Sequence, residues 1–171
     1  MKAMLFAAGL GTRLKPWTDH HPKALALVNG KSLLQRNIEY LQQFGIHDVI
    51  VNVHHFADQI IDAITQNKGW GSSVTISDET DAVLETGGGL KKAAWYFEAE
   101  KDFVVMNVDI LTDMRLDDMI RRHEAEQPLA TLAVSDRTTS RYFLFDAAGR
   151  LRGWRNVNSG EEKPAGLQSV K

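Results

Sequence analysis

The chain has 171 residues, 43% of them hydrophobic and 25% charged, with a formal net charge of −2. That length and balance predict one globular domain, residues 1–171, with a sizeable core, and give no basis for binding nucleic acid or an anionic membrane. The absence of cysteine excludes disulfides, thiolate zinc sites and a cysteine nucleophile; no apolar run is long enough for a leader or a membrane span, so the cytoplasm is the expected location.

Taken in chain order, Ala3–Ala8 is a short apolar run that predicts a buried strand, closed by the glycines of a loop. Ser32 to Phe44 carries Leu33, Leu34, Ile38, Leu41 and Phe44 at helical spacing, with Gly45 as its stop. Val49, Ile50, Val51 and Val53 predict a second buried strand over 48–53. Ile60, Ile61 and Ile64 predict a helix over 56–64, and Val74-Thr75-Ile76 a short strand. Gly87 to Ala94 predicts the start of a helix, Phe103–Met106 a fourth apolar strand, Leu116–Glu126 an amphipathic helix and Leu129–Val134 a further strand. Tyr142–Phe145 and Leu151–Trp154 alternate around Asp146-Ala147-Ala148-Gly149 and predict a β-hairpin. Ser159 to Gly166 is polar and loop-like, and the chain is expected to lack a C-terminal part.

Strands alternating with helices predict a three-layer α/β/α sandwich, a Rossmann-like, mostly parallel sheet with a small late β-hairpin. In such sheets ligands bind beyond the C-terminal strand ends. Two segments leave strands at that edge: Gly9-Leu10-Gly11-Thr12-Arg13 after the first strand, and Asn107-Val108-Asp109 after the fourth. Residues 1–31 also hold Lys2, Arg13, Lys15, Lys23 and Lys31 against Asp19 alone. A glycine turn with Arg and Lys in reach is suited to polyphosphate, since backbone N–H groups, a guanidinium fork and an ammonium can all face anionic oxygens. A dinucleotide fingerprint would need a third glycine near Leu14 and an acid ending the second strand, where Asn52-Val53-His54-His55 stands instead. A P-loop would need Gly-Lys-Ser/Thr.

Gly9-Leu10-Gly11-Thr12-Arg13-Leu14 with Pro22-Lys23, then Leu84-Glu85-Thr86-Gly87-Gly88-Gly89, then Asn107-Val108-Asp109, together resemble the sugar-phosphate nucleotidylyltransferase family. They are most similar to the branch containing N-acetylmuramate-1-phosphate uridylyltransferase and the mannose-1-phosphate guanylyltransferase-like proteins. The resemblance implies the nucleotide-diphospho-sugar transferase fold. It also implies an enzyme that joins a nucleoside triphosphate to a sugar 1-phosphate, releasing pyrophosphate, by Mg²⁺-assisted in-line attack without a protein nucleophile. On that resemblance Arg13, Lys23 and Asp109 are the catalytic set, and Asp109 is also the Mg²⁺ ligand. Ala8, Gly9, Gly11, Thr12, Glu79, Gly87, Gly88 and Asn107 border the nucleotide, and Arg141 and Asn156 lie on the sugar side. Two departures stand out: the family's second metal aspartate is not found, and Val108 replaces a common glycine, where it is expected to narrow the acceptor side.

Alternatives remain open at this level. Glu79 is either a base reader, whose acceptor-only carboxylate suits UTP or GTP, or a solvated charge in the acidic run Asp78–Asp81. UTP is favoured, with guanylyl transfer to mannose 1-phosphate as one alternative. A non-catalytic nucleotide-binding regulatory protein on the same fold is another. His20-His21 and His54-His55 lack zinc-site spacing. Trp17 either shields the loop or packs.

Overall fold

The structure, a computed structural model, describes residues 1–82 and 84–164. The first strand, β1 (Lys2–Phe6), leads through three 3-10 turns at Thr12–Leu14, Trp17–Asp19 and Lys23–Leu25 into a small hairpin, β2 (Leu27–Val28) and β3 (Lys31–Ser32). Helix α1 (Leu33–Gln42) follows directly, and the Ser32 hydroxyl caps it by accepting from the Gln35 N–H at 3.1 Å. Next come β4 (Asp48–Val53), α2 (Ala57–Gln66), β5 (Ser73–Asp78), α3 (Glu85–Lys92), β6 (Val104–Asn107) and α4 (Leu116–Glu126). The later part holds β7 (Arg141–Phe145), β8 (Leu151–Asn156) and β9 (Glu161–Pro164).

The central sheet has four strands in the order β5-β4-β1-β6, and all of its pairings are parallel. Alternation along the strands sends Ala3, Leu5, Val49, Val51 and Val53 into one core cluster with Leu34, Ile38 and Leu41 of α1, Ile60 and Ile64 of α2 and Leu116 of α4. Met4 and Ile50 point to the opposite face, against Ala93 and Phe97. Helices therefore cover both faces, as the alternation of elements predicts, and the apolar area removed from water is the main stabilising term.

Backbone contacts divide the chain into two compact units, Met1–Arg122 and His123–Lys171, with the boundary inside α4. The second unit contains a three-stranded antiparallel sheet ordered β7-β8-β9. The predicted hairpin is thus two-thirds of a sheet: Glu161–Pro164, expected to be loop, pairs with β8, and Gly153 lies so close to Lys163 that a Cβ there would sit 2.8 Å from the Lys163 carbonyl oxygen. Residues 165–171, the remainder of the expected tail, lie outside the described residues.

A second correction concerns residues 129–134, expected to be a strand. They form no ladder, and Leu129 and Val134 are 103% and 65% exposed. Apolar alternation makes a strand only where a neighbour supplies backbone partners, and none of the described residues does so here. The β2–β3 hairpin was not expected either. It turns on Asn29 and Gly30, both at positive φ (49° and 76°), the backbone of a type I′ turn.

Candidate active site

The strand order reverses at β1: the chain steps outward through β4 and β5, then returns to place β6 on the other side of β1. Phe6 and Asn107, the last residues of β1 and β6, are register partners, and the Val108 N–H then donates to the Phe6 carbonyl at 3.1 Å. The glycine loop and the Asn107-Val108-Asp109 segment therefore leave the sheet side by side, at the topological switch point where open α/β sheets bind ligands.

The loop is shaped by Gly11, which adopts φ +63°; a Cβ there would lie 2.9 Å from both the Lys23 Cβ and the Thr18 Cγ2. Two other contacts close the turn on the Gly11 carbonyl, the Thr18 hydroxyl at 3.0 Å and the Leu14 N–H at 2.9 Å. Thr18 is buried and Lys23 opens a 3-10 turn on buried Pro22 and Ala24, so Lys23 is brought back over the loop. Its ammonium forms an ion pair with Asp109. Arg13 and Thr12 are exposed, and no ion pair engages Arg13 among the described residues. Gly9 stands in open space, as does Gly87 at the start of α3.

The Asp109 side is held from beneath. Asn37 of α1, 1% exposed, donates from its amide nitrogen to the Val108 carbonyl at 2.7 Å and to the Leu33 carbonyl at 2.8 Å. The Val108 side chain lies in the main core cluster. The expectation that it narrows the acceptor pocket is therefore overturned: a residue following a parallel strand keeps the inward alternation, and Val108 packs with α1. Asn107 is exposed.

Glu79 is 1% exposed, which overturns the solvated-charge reading, and its carboxylate oxygen Oε1 accepts from the Asn52 amide nitrogen at 2.9 Å. Asn52, in turn, accepts on Oδ1 from the N–H groups of Ala7 at 2.7 Å and Ala8 at 3.3 Å. Ala8 thus spends its N–H on the scaffold. Asn52, which in the sequence only marks the lack of a ribose-binding acid, is thus a direct neighbour of the loop, and its signal is a polar side chain at the end of a buried strand.

Arg141 and Asn156, expected on the sugar side, are cross-strand partners at one end of the β7–β8 pair. A cavity of about 640 Å³ lies between α1 and the segment after β6, lined by Asn37, Tyr40, Met106, Ile110, Asp113 and Met114 among others, and includes none of the expected site residues. Within it Tyr40 donates to the Met114 carbonyl at 2.8 Å; burial, with Asp113 and Asp117 nearby, raises its hydroxyl pKa.

Among the described residues no cluster of three or more His, Asp or Glu side chains can hold a metal ion. Asp109 offers a hard carboxylate oxygen donor, paired here with Lys23. That donor set suits Mg²⁺, which commonly binds through one or two carboxylates plus substrate phosphates and water; it does not make a free-standing metal cage. No described helix is long and apolar enough to cross a membrane.

A glycine loop, an ion-paired lysine and a strand-end aspartate meet at the switch point of a parallel sheet, an arrangement typical of phosphate-handling α/β proteins. The comparisons with known proteins make this specific: the nucleotidyl transferase family model matches residues 2–169, across both compact units, and the chain belongs to that family. It is 42% identical over 110 residues to an N-acetylmuramate alpha-1-phosphate uridylyltransferase from Caulobacter vibrioides, covering 63% of this chain and 45% of that protein. It is 32% identical over 137 residues to the mannose-1-phosphate guanyltransferase beta-B of Xenopus laevis, covering 79% of this chain and 38% of that one. Among solved structures, HddC from Yersinia pseudotuberculosis superposes with a TM-score of 0.75 at 28% identity, covering 95% of this chain and 71% of that one. HddC complexed with GMP-PN gives 0.64 at 34% identity, covering 71% and 53%. The chain spans about half the length of the first curated relatives it matches, 45% and 49%.

Proposed function

We propose that this chain carries the nucleotide-binding half of a transferase that joins UTP to a sugar 1-phosphate, giving a UDP-sugar and pyrophosphate. The single observation that carries the reading is the convergence of Gly11, Lys23 and Asp109 at the ends of β1 and β6. In this reaction an oxygen of the sugar phosphate attacks the α-phosphorus, and the bond from that phosphorus to the α–β bridging oxygen breaks. The electron pair leaves with pyrophosphate, so no protein nucleophile or redox partner is needed.

The chain's own residues act by position and charge. The N–H groups of Gly9, Gly11 and Thr12 face the triphosphate. Arg13, exposed and unpaired among the described residues, meets the β- and γ-phosphates as charge grows on the leaving group. Lys23 moves from Asp109 to the α-phosphate when nucleotide enters, which frees the Asp109 carboxylate for Mg²⁺. That ion would neutralise phosphate charge and orient the triphosphate. Gly87 and Gly88 border the nucleoside, and Asn107 flanks the metal side. Arg141 and Asn156, paired across β7 and β8, serve the acceptor sugar.

UTP is the nucleotide proposed because relatives 42% and 38% identical to this chain are named as uridylyltransferases. A guanylyl reading has its own support in the likeness to HddC complexed with GMP-PN and to the guanyltransferases. A cytoplasmic setting follows from the substrates. Pyrophosphate release by the intact gene product, assayed with Mg²⁺, each of five nucleoside triphosphates and a panel of sugar 1-phosphates, tests the proposal. Turnover with UTP and a hexosamine or muramate 1-phosphate is expected. Turnover with GTP alone would move the assignment to guanylyl transfer, and none with any pair would overturn it in favour of a nucleotide-binding regulator.

A further inference from the structure

We propose that Asn52 and Glu79 are positioning residues that lock the phosphate loop and the nucleoside-side helix into one geometry. The proposal rests on the reading of the glycine loop as the triphosphate cradle. Phe6 and Asn52 are register partners, and β1 parts from β4 there; the N–H groups of Ala7 and Ala8 are taken by the Asn52 Oδ1 at 2.7 and 3.3 Å. A side chain thus extends the ladder past the point where the backbone leaves it, and it does so at the first two residues of the loop.

An asparagine amide can turn end for end with little change in shape, and only its partners decide which way it faces. Glu79 decides it here. Its carboxylate only accepts, so it holds the Asn52 nitrogen at 2.9 Å and leaves the Asn52 oxygen toward the loop. Reversing the amide would set a donor against two N–H groups and an oxygen against a carboxylate. Both residues are buried, 2% and 1% exposed, so water offers neither orientation a substitute.

Glu79 is itself fixed by several contacts. Its N–H donates to the Val53 carbonyl at 2.8 Å, and its carbonyl accepts from His54 Nδ1 at 2.7 Å. Its carboxylate lies against α3 at Gly89, where a Cβ would come within 2.7 Å of Oε1. The third glycine of the Gly87-Gly88-Gly89 run therefore serves the buried carboxylate rather than the nucleoside. Lys92 also donates to the Asp78 carbonyl, tying α3 to the end of β5. The path from loop amides through Asn52 and Glu79 to α3 is continuous and has one allowed polarity.

The test uses three variants of the intact protein: E79Q, which is isosteric, N52D, and the double N52D/E79Q. E79Q weakens the preference for one amide orientation, because a glutamine can turn either an oxygen or a nitrogen toward Asn52 and only the Ala7 and Ala8 N–H groups still favour one. N52D sets two carboxylates against each other. The double variant reverses the polarity of the pair, a glutamine donor facing an introduced carboxylate, while an acceptor still faces the loop. Amide hydrogen exchange at Ala7 and Ala8 is read by NMR, with Met4 and Leu5 as references inside β1. Titration calorimetry with UTP and with GTP, each with Mg²⁺, reads nucleotide binding.

The expected result is faster exchange at Ala7 and Ala8 in E79Q, unchanged at Met4 and Leu5, with nucleotide bound roughly tenfold more weakly. N52D is affected more strongly, and the double variant recovers most of both losses. Unchanged exchange in E79Q would overturn the relay, whatever the protein binds. Faster exchange with unaltered affinity would overturn its role in nucleotide binding, and a double variant no better than N52D would overturn the polarity argument. A wild-type control that binds neither nucleotide would sink the functional reading and this role with it, a failure separate from the exchange result.

Discussion

The Lys23 ammonium and the Asp109 carboxylate, 86 residues apart in the chain, form an ion pair where β1 and β6 end side by side. Each is partly screened from water, with side-chain exposures of 20% and 32%. The pairing gives each charge a partner at the mouth of the site and makes Lys23 a competitor of any cation for Asp109. Binding of a cation at Asp109 would therefore be linked to release of Lys23.

From this linkage, nucleotide-free protein should bind Mg²⁺ weakly, and Lys23→Met should tighten that binding several-fold by freeing the carboxylate. The same variant should lower turnover by about 100-fold, the usual size of losing one charged stabiliser of a transition state. Asp109→Asn should lose both metal binding and turnover. Metal titration of the three proteins, followed by pyrophosphate assays, checks this; equal Mg²⁺ affinity in wild type and Lys23→Met would contradict the competition.

Arg13 and Gly11 should separate function from folding. Arg13 is exposed, so Arg13→Ala should alter stability by no more than about 0.5 kcal/mol while weakening triphosphate-induced stabilisation. Gly11→Ala meets two side-chain carbons at 2.9 Å from a backbone at φ +63° and should cost at least 1–2 kcal/mol, by order of magnitude, from the left-handed backbone alone. Thermal melts with and without UTP and Mg²⁺ distinguish the two patterns.

Asn37 supports the Asp109 side without touching it. Asn37→Ala leaves the Val108 carbonyl, and with it the approach to Asp109, without its buried donor. The expected loss is about 1–3 kcal/mol of stability, with a fall in turnover at saturating nucleotide larger than any change in KM. Denaturant melts and steady-state kinetics on the same preparation measure both; wild-type kcat would show that the Val108–Asp109 segment holds itself in place.

The second unit should respond to acid through Asp146. The carboxylate of Asp146 accepts from the backbone N–H groups of Arg150 and Ala148 and from the Arg150 and Arg152 side chains. Its pKa is lowered from 3.8 to about 2, chiefly by the Arg150 N–H. A carboxylate with a lowered folded-state pKa stabilises the fold above its unfolded value, and that contribution fades as pH falls from about 4 towards 2. Asp146→Asn should flatten this part of the acid-stability curve. Chemical denaturation at pH 5, 3.5 and 2.5 tests it; identical curves for both proteins would rule the contribution out.

How much of this was legible beforehand follows from the range of the interactions. Alternation and 3.6-residue spacing act over a few residues, so β4 at Asp48–Val53 and α4 at Leu116–Glu126 could be read to the residue, and β1, α1 and the β7–β8 pair to within a residue or two. Asn29-Gly30 is equally local, a two-residue turn signal carried by the sequence itself. The glycine loop, Lys23 and Asp109 were legible as residue types suited to phosphate. That both segments leave the same sheet edge was legible too; that they leave it side by side was not, since it depends on β6 lying beside β1 rather than beyond β5.

What the sequence determined by itself is therefore the set of elements and the chemistry at the strand ends. The tertiary structure alone decided the burial of Glu79, the bracing role of Asn52 and the inward turn of Val108. It also left residues 129–134 without a partner strand and paired the polar β9 with β8. In each case the deciding partner lies on another element: a carboxylate is a base reader, a solvated charge or a buried brace according to what faces it, and apolar alternation becomes a strand only when a neighbour supplies the hydrogen bonds.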